Sequence, residues 1–166
     1  MVNNAVFADS VYFLALTIER DTLHGQAVAI EATYQGRIVT TQWVLTEVAD
    51  GLAPPSLRSR FTRLCESLGA RKNVHILPVH HLQYQMGCRL YERRVDKAWS
   101  LTDCMSFLAM RAYGLQAALT ADQHFVQAGF RILMGRDFTG VSEPAPAYGD
   151  MRIYPDWEET LVRDAA

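Results

Sequence analysis

Four carboxylates carry the chemical interest of this 166-residue chain: Asp9, Glu47, Asp103 and Asp122. Each has an ordinary use on its own. Asp9 could cap a short helix, Glu47 could be a partly buried acid paired with an arginine, and Asp122 could be the N-cap before Gln123-His124-Phe125. Asp103 forms an S-x-x-D capping box with Ser100, in which each residue answers an orphan donor of the other at the helix start. Brought together, the same groups behave differently. Carboxylates within a few ångströms repel, and without compensation some must take up protons. A divalent cation relieves that conflict. Oxygen ligands suit Mg²⁺ or Mn²⁺, which also bind phosphate oxygens and support phosphodiester hydrolysis.

Whether the acids meet depends on the elements that position them. Residues 5–8 are a short apolar run ending in Asp9, and Arg37–Thr41, Val74–Leu77, Leu115–Thr120 and Phe130–Met134 read as four further strands. Helical spacing fills the intervals: a short helix through Leu16, then 22–35, 42–50, 56–68, 81–94, the apolar stretch opening at Ser100, and 122–128. Gly114 and Gly129 end the last two. Alternating strands and helices predict an α/β protein, a three-layer α/β/α sandwich around a parallel five-stranded sheet. Such sheets bind ligands at the carboxyl ends of their strands. Asp9 and Asp122 follow strands there, while Glu47 lies early in the helix leaving the second strand. Asp103 begins the helix returning to the fourth, so all four acids belong on one edge. Val44 and Val48 place Glu47 beside the apolar face of its helix, an uncomfortable place for an acid with no task.

Length and composition suit one core and a soluble protein. Acidic and basic residues come too early for a secretory signal, and no apolar run approaches the ~20 residues of a membrane span. Three cysteines, Cys65, Cys88 and Cys104, with no C-x-x-C pair, indicate reduced thiols and a cytoplasmic location. The net charge of -2 hides a division: residues 1–136 hold 14 Lys and Arg against 11 Asp and Glu, and residues 137–166 hold 2 against 7. The body is therefore mildly basic. Were its four acids neutralised by metal, 14 cations would face 7 remaining acids, a balance able to support modest phosphate binding.

The residues around the acids carry a family resemblance. Ala8-Asp9-Ser10, Thr40-Thr41-x-x-Val44-Leu45-Thr46-Glu47-Val48, Asp96-Lys97-x-x-Ser100-Leu101-Thr102-Asp103, and Leu119-Thr120-x-Asp122-x-His124-Phe125-x-x-Ala128-Gly129-Phe130 together resemble the PIN-domain ribonucleases, VapC-like toxins above all. The resemblance runs from about residue 5 to residue 136. It implies a metal-dependent endoribonuclease that hydrolyses RNA phosphodiester bonds, the toxin half of a type II toxin-antitoxin pair. It also implies Mg²⁺ or Mn²⁺ held by Asp9, Glu47, Asp103 and Asp122, a homodimer and an antitoxin partner.

Ser10, Thr46 and Thr120 lie beside the acids and could orient them or contact phosphate, although caps and turns use the same residues. Asp96 could support the site or be an exposed acid beside Lys97, and His124 could touch RNA, although a lone histidine after an N-cap is more often a surface residue. Two other functions compete with the ribonuclease: a PIN-like interaction module without useful catalysis, and a phosphatase with Asp9 as nucleophile. Intact acids at four positions oppose the first, and Ser10-Val11 lacks the second acid of the usual Asp-x-Asp pattern of the other. The last 30 residues depart from the simplest family pattern. Residues 1–136 form the expected nuclease domain and 137–166 an acidic C-terminal extension, either packed on the body or covering its basic RNA surface.

Overall fold

The computed structural model describes residues 5–135, so the acidic extension 137–166, with its expected loop, extended segment and short helix, lies outside the described residues. Five strands alternate with seven helices in this span. They are β1 (Ala5–Ala8), α1 (Ser10–Thr17), α2 (His24–Thr33), β2 (Arg37–Thr41), α3 (Gln42–Gly51), α4 (Arg58–Ala70), β3 (Val74–Leu77), α5 (His81–Arg93), α6 (Leu101–Ala112), β4 (Ala117–Leu119), α7 (Gln123–Gln127) and β5 (Arg131–Ile132). All pairings are parallel, in the order β3-β2-β1-β4-β5. Right-handed crossovers then place α1 to α4 on one face and α5 to α7 on the other. Most helix contacts divide accordingly, α1 touching α2, α3 and α4 and α6 touching α5 and α7, while α3 also meets α6 and stacks Trp43 on Tyr84 of α5. The fold is the expected α/β/α sandwich.

The central strand is apolar because it is covered on both faces: Val6, Phe7 and Ala8 are all buried. Phe7 and Phe107 both pack their rings on Phe125, which ties β1 to α6 and α7. Burying each such ring contributes about 1.5–3 kcal/mol. Helix α6 is buried continuously from Asp103 to Met110, as a sequence apolar on nearly every face requires. It ends at Gly114, whose φ of 63° few other residues adopt cheaply. On its α5 side a close approach occurs at Gly87, where an added Cβ would lie 2.6 Å from Met105 Cγ.

Local bonding moves several element ends from their expected positions. The Leu57 amide bonds the Pro54 carbonyl, so the Pro54-Pro55 turn consumes the first residues of the helix expected from Ser56. The Leu115 amide bonds back to Met110, which keeps the start of the fourth apolar run in the α6 terminus and leaves Ala117–Leu119 as strand. The fifth strand narrows to Arg131–Ile132, although Leu133 and Met134 still bond toward Ala118 and Thr120.

Strand order decides where a site can be. Chain connections run from β1 outward through β2 to β3, then cross back to β4 and outward again to β5. The direction therefore reverses between β1 and β4, and the crevice beyond the carboxyl ends of those strands is the topological switch point. Registers Phe7 to Ala118 and Ala8 to Leu119 bring Asp9 and Thr120 level at its mouth.

Candidate active site at the carboxyl edge of the sheet

Asp9 lies at the centre of the edge. It is the N-cap residue of α1 by position, yet its side chain makes no cap hydrogen bond. Instead, Asp9 Oδ2 accepts from Thr120 Oγ1 at 2.9 Å, a bond that crosses from β1 to β4. Asp9 is only 5% exposed, and burial pushes its carboxyl up to about 7. The Thr120 hydroxyl and the Ser10 amide pull the other way, while the nearby Glu47 and Asp103 charges push further up. The main cause is removal of the carboxyl from water, to which the like charges of Glu47 and Asp103 add a smaller push.

Glu47 reaches the edge because Thr41, at the end of β2, starts α3 at once by accepting from the Val44 amide at 3.1 Å. Its helix therefore rises directly from the sheet edge. Ser10 Oγ donates to Glu47 Oε1 at 2.7 Å, so α1 and α3 hold the half-buried carboxylate between them. Thr46 has a different fate. Its exposed hydroxyl donates to the Gln42 carbonyl one turn back and orients no acid.

Asp103 performs its capping task and faces the acids as well. The reciprocal capping box is complete: Asp103 N donates to Ser100 Oγ at 3.0 Å and Ser100 N donates to Asp103 Oδ2 at 2.7 Å. Burial raises the Asp103 pKa, with the Ser100 amide opposing and Asp122 adding to the rise. Asp122 caps α7, its Oδ1 accepting from the His124 amide at 2.8 Å. That turn brings the His124 ring inward, where Nδ1 lies 3.2 Å from Asp103 Oδ2 and 3.4 Å from Asp122 Oδ2. One ligand atom from each of Asp103, Asp122 and His124 falls within 4.8 Å of the others.

Asp9 feels the charges of Glu47 and Asp103, and Asp103 that of Asp122, but among the described residues the group close enough to share one ion is Asp103, Asp122 and His124, without Asp9 or Glu47. Asp96 stands apart. It is exposed, held by Arg94 at 2.8 and 2.9 Å with Lys97 at 3.9 Å. His124, a surface residue by its place after an N-cap, is half-buried, with its ring beside both Asp103 and Asp122. The usable signal was the two-residue spacing to Asp122, since an Asp cap bonded to the amide two residues on fixes both side chains in one turn.

Comparison of the sequence with family models and with curated proteins finds no match. Solved structures of similar fold are found. VapC20 of Mycobacterium tuberculosis, described as a Sarcin-Ricin loop cleaving toxin, aligns at a TM-score of 0.71 and 23% identity, over 78% of this chain and 99% of that one. FitAcB of Neisseria gonorrhoeae aligns at 0.55 and 16% identity, over 76% and 95% of the two chains. VapBC2 of Rickettsia felis, solved with a DNA fragment from its promoter, aligns at 0.54 and 11% identity, over 77% and 96%. The chain shares the fold of these three structures, the PIN-like fold that the resemblance carried by the sequence motifs implies.

Proposed function

We propose that this protein is a metal-dependent endoribonuclease that hydrolyses RNA phosphodiester bonds, with Asp9, Glu47, Asp103 and Asp122 as its metal-site acids. The observation that carries the reading is the state of Asp9: a buried carboxyl at the switch-point crevice, crowded by Glu47 and Asp103 and supported by a hydroxyl. An acid so placed costs stability unless a cation joins it. The donor set fits one. When bound, Mg²⁺ or Mn²⁺ supplies an activated water and steadies the charge that grows on the phosphate and leaving oxygen.

The chain supplies the positioning. Thr120 fixes the Asp9 carboxylate, Ser10 fixes Glu47, the Ser100 amide fixes Asp103 and the His124 amide fixes Asp122. These outer partners hold each ligand oxygen in one orientation before metal arrives. Three arginines of α4 reach carbonyl oxygens: Arg58 that of Ala53, Arg60 that of Thr17 and Arg63 that of Ser59. The basic balance of residues 1–136 supports phosphate binding.

The same reading includes a toxin role, an antitoxin partner and a homodimer; its support is the fold shared with VapC20, VapBC2 and FitAcB. Residues 1–136 are the nuclease domain and 137–166 the extension. Cleavage of a mixed RNA substrate by chelator-stripped protein tests the enzyme: cleavage should return with Mn²⁺ or Mg²⁺ and vanish in Asp9→Asn. Restored hydrolysis of a phosphomonoester without RNA cleavage would instead establish a phosphatase. Sedimentation tests the dimer, and a small DNA-binding protein encoded beside this one tests the antitoxin.

A further inference from the structure

His124 Nδ1 makes a hydrogen bond to Asp103 Oδ2 and stands beside Asp122 as well, contacts that capping of α7 does not require. Two ligand atoms about 2.1 Å from one octahedral ion, at right angles to each other, stand about 3.0 Å apart. The distances from His124 Nδ1 to Asp103 Oδ2 and Asp122 Oδ2, 3.2 and 3.4 Å, are close to that spacing. The two carboxylates come from different elements, α6 and the start of α7, and the ring lies between them. Asp122 spends Oδ1 on the His124 amide and leaves Oδ2 on the ring side. The His124 side chain is 29% exposed, so the cluster remains open to an ion from solvent.

We infer that His124 is a nitrogen ligand to the divalent ion held by Asp103 and Asp122, and that it makes the site select Mn²⁺ over Mg²⁺. This rests on the reading of the acids as a metal site. Carboxylates alone suit Mg²⁺ and Mn²⁺ alike, whereas imidazole is a good ligand for transition ions and a poor one for Mg²⁺. A single nitrogen among oxygens therefore changes the preference without changing the net charge of the donor set.

The test uses untagged, full-length, chelator-stripped protein and the two ions alone, without RNA. Calorimetric titration of the parent should give tighter binding of Mn²⁺ than of Mg²⁺. In His124→Ala the affinity ratio should fall toward unity, chiefly through weaker Mn²⁺ binding. Pulsed electron paramagnetic resonance of Mn²⁺ on the parent should show hyperfine coupling to a directly bonded nitrogen, altered by ¹⁵N-histidine labelling and lost in His124→Ala. Because the parent spectrum needs no substitution, a variant that folds poorly cannot mask the answer. Mn²⁺ bound without nitrogen coupling overturns the inference, as does an equal loss of both ions in His124→Ala, which would leave the ring as a holder of the two acids. If the parent binds neither ion, the four-acid reading falls and this one with it.

Discussion

The two edges of the sheet handle buried charge in opposite ways. At the amino edge, Glu31 of α2 is paired with Arg71 at the end of α4 and also accepts from the Tyr12 hydroxyl at 2.7 Å. Arg71 Nε also bonds Asn73, whose side-chain amide reaches the Gly36 carbonyl at 2.9 Å, so the group locks α1, α2, β2 and β3 together. The Glu31 and Arg71 charges there answer each other. At the carboxyl edge the acids are answered by the hydroxyls of Ser10 and Thr120, the backbone amides of Ser100 and His124, and one imidazole. Hydroxyls and amides orient carboxylates without neutralising them. The amino edge is thus built for stability, and the carboxyl edge keeps a charge deficit that a cation can fill.

The largest test of this contrast is pH. Asp9 has an ordinary value of 3.8 and a folded value of about 7. The folded protein therefore holds a proton that the unfolded chain releases, and metal-free stability should fall as pH rises from about 4 to about 7. The loss is on the order of 4 kcal/mol for Asp9. Asp103, also raised, adds in the same direction. Denaturant melts across that range should show the decline, Asp9→Asn should flatten it, and millimolar Mn²⁺ should offset it at pH 7. A metal-free protein equally stable at pH 4.5 and pH 7 would place Asp9 outside this account.

Substitution at one edge and then at the other gives the next two effects. Asp9→Asn should lower RNA cleavage by more than about 100-fold, beyond the loss typical of groups that only support a ligand, while the melting temperature without metal holds or rises. Arg71→Ala should do the reverse: a loss of about 1–3 kcal/mol by leaving the Glu31 carboxylate short of a partner, with cleavage per folded molecule unchanged. Equal catalytic damage from both would erase the distinction between the edges.

The smallest effect sharpens the double role of Asp103. Ser100→Ala removes the hydroxyl that accepts from the Asp103 amide but keeps the Ser100 amide that donates to the Asp103 carboxylate. Stability should fall by about 0.5–2 kcal/mol, and cleavage per folded molecule should stay near that of the parent. Asp103→Asn should show the opposite pattern. If it cleaves as well as Ser100→Ala, Asp103 is a cap and nothing more.

Much of this was legible in the residues because it is local. The apolar run of residues 5–8 closed by Asp9 marked β1, Pro78 marked the end of β3, the four-three-four spacing of Leu57, Phe61, Leu64 and Leu68 marked α4, and Ser100-x-x-Asp103 marked the start of α6. Each depends on neighbours a few positions apart, which periodicity and capping chemistry report directly. The sequence also determined that acids follow β1 and β4 and that Asp103 begins a helix. Only the tertiary structure decided that β1 and β4 are neighbours, and with that the Thr120 bond to Asp9, whose partners lie 111 residues apart. It likewise decided that Ser10 serves Glu47 while Thr46 turns away, and that His124 points between two carboxylates rather than into solvent. Local patterns cannot fix these choices, because strand order and side-chain direction at an edge are set by which faces must bury one another, a property of the packed chain as a whole.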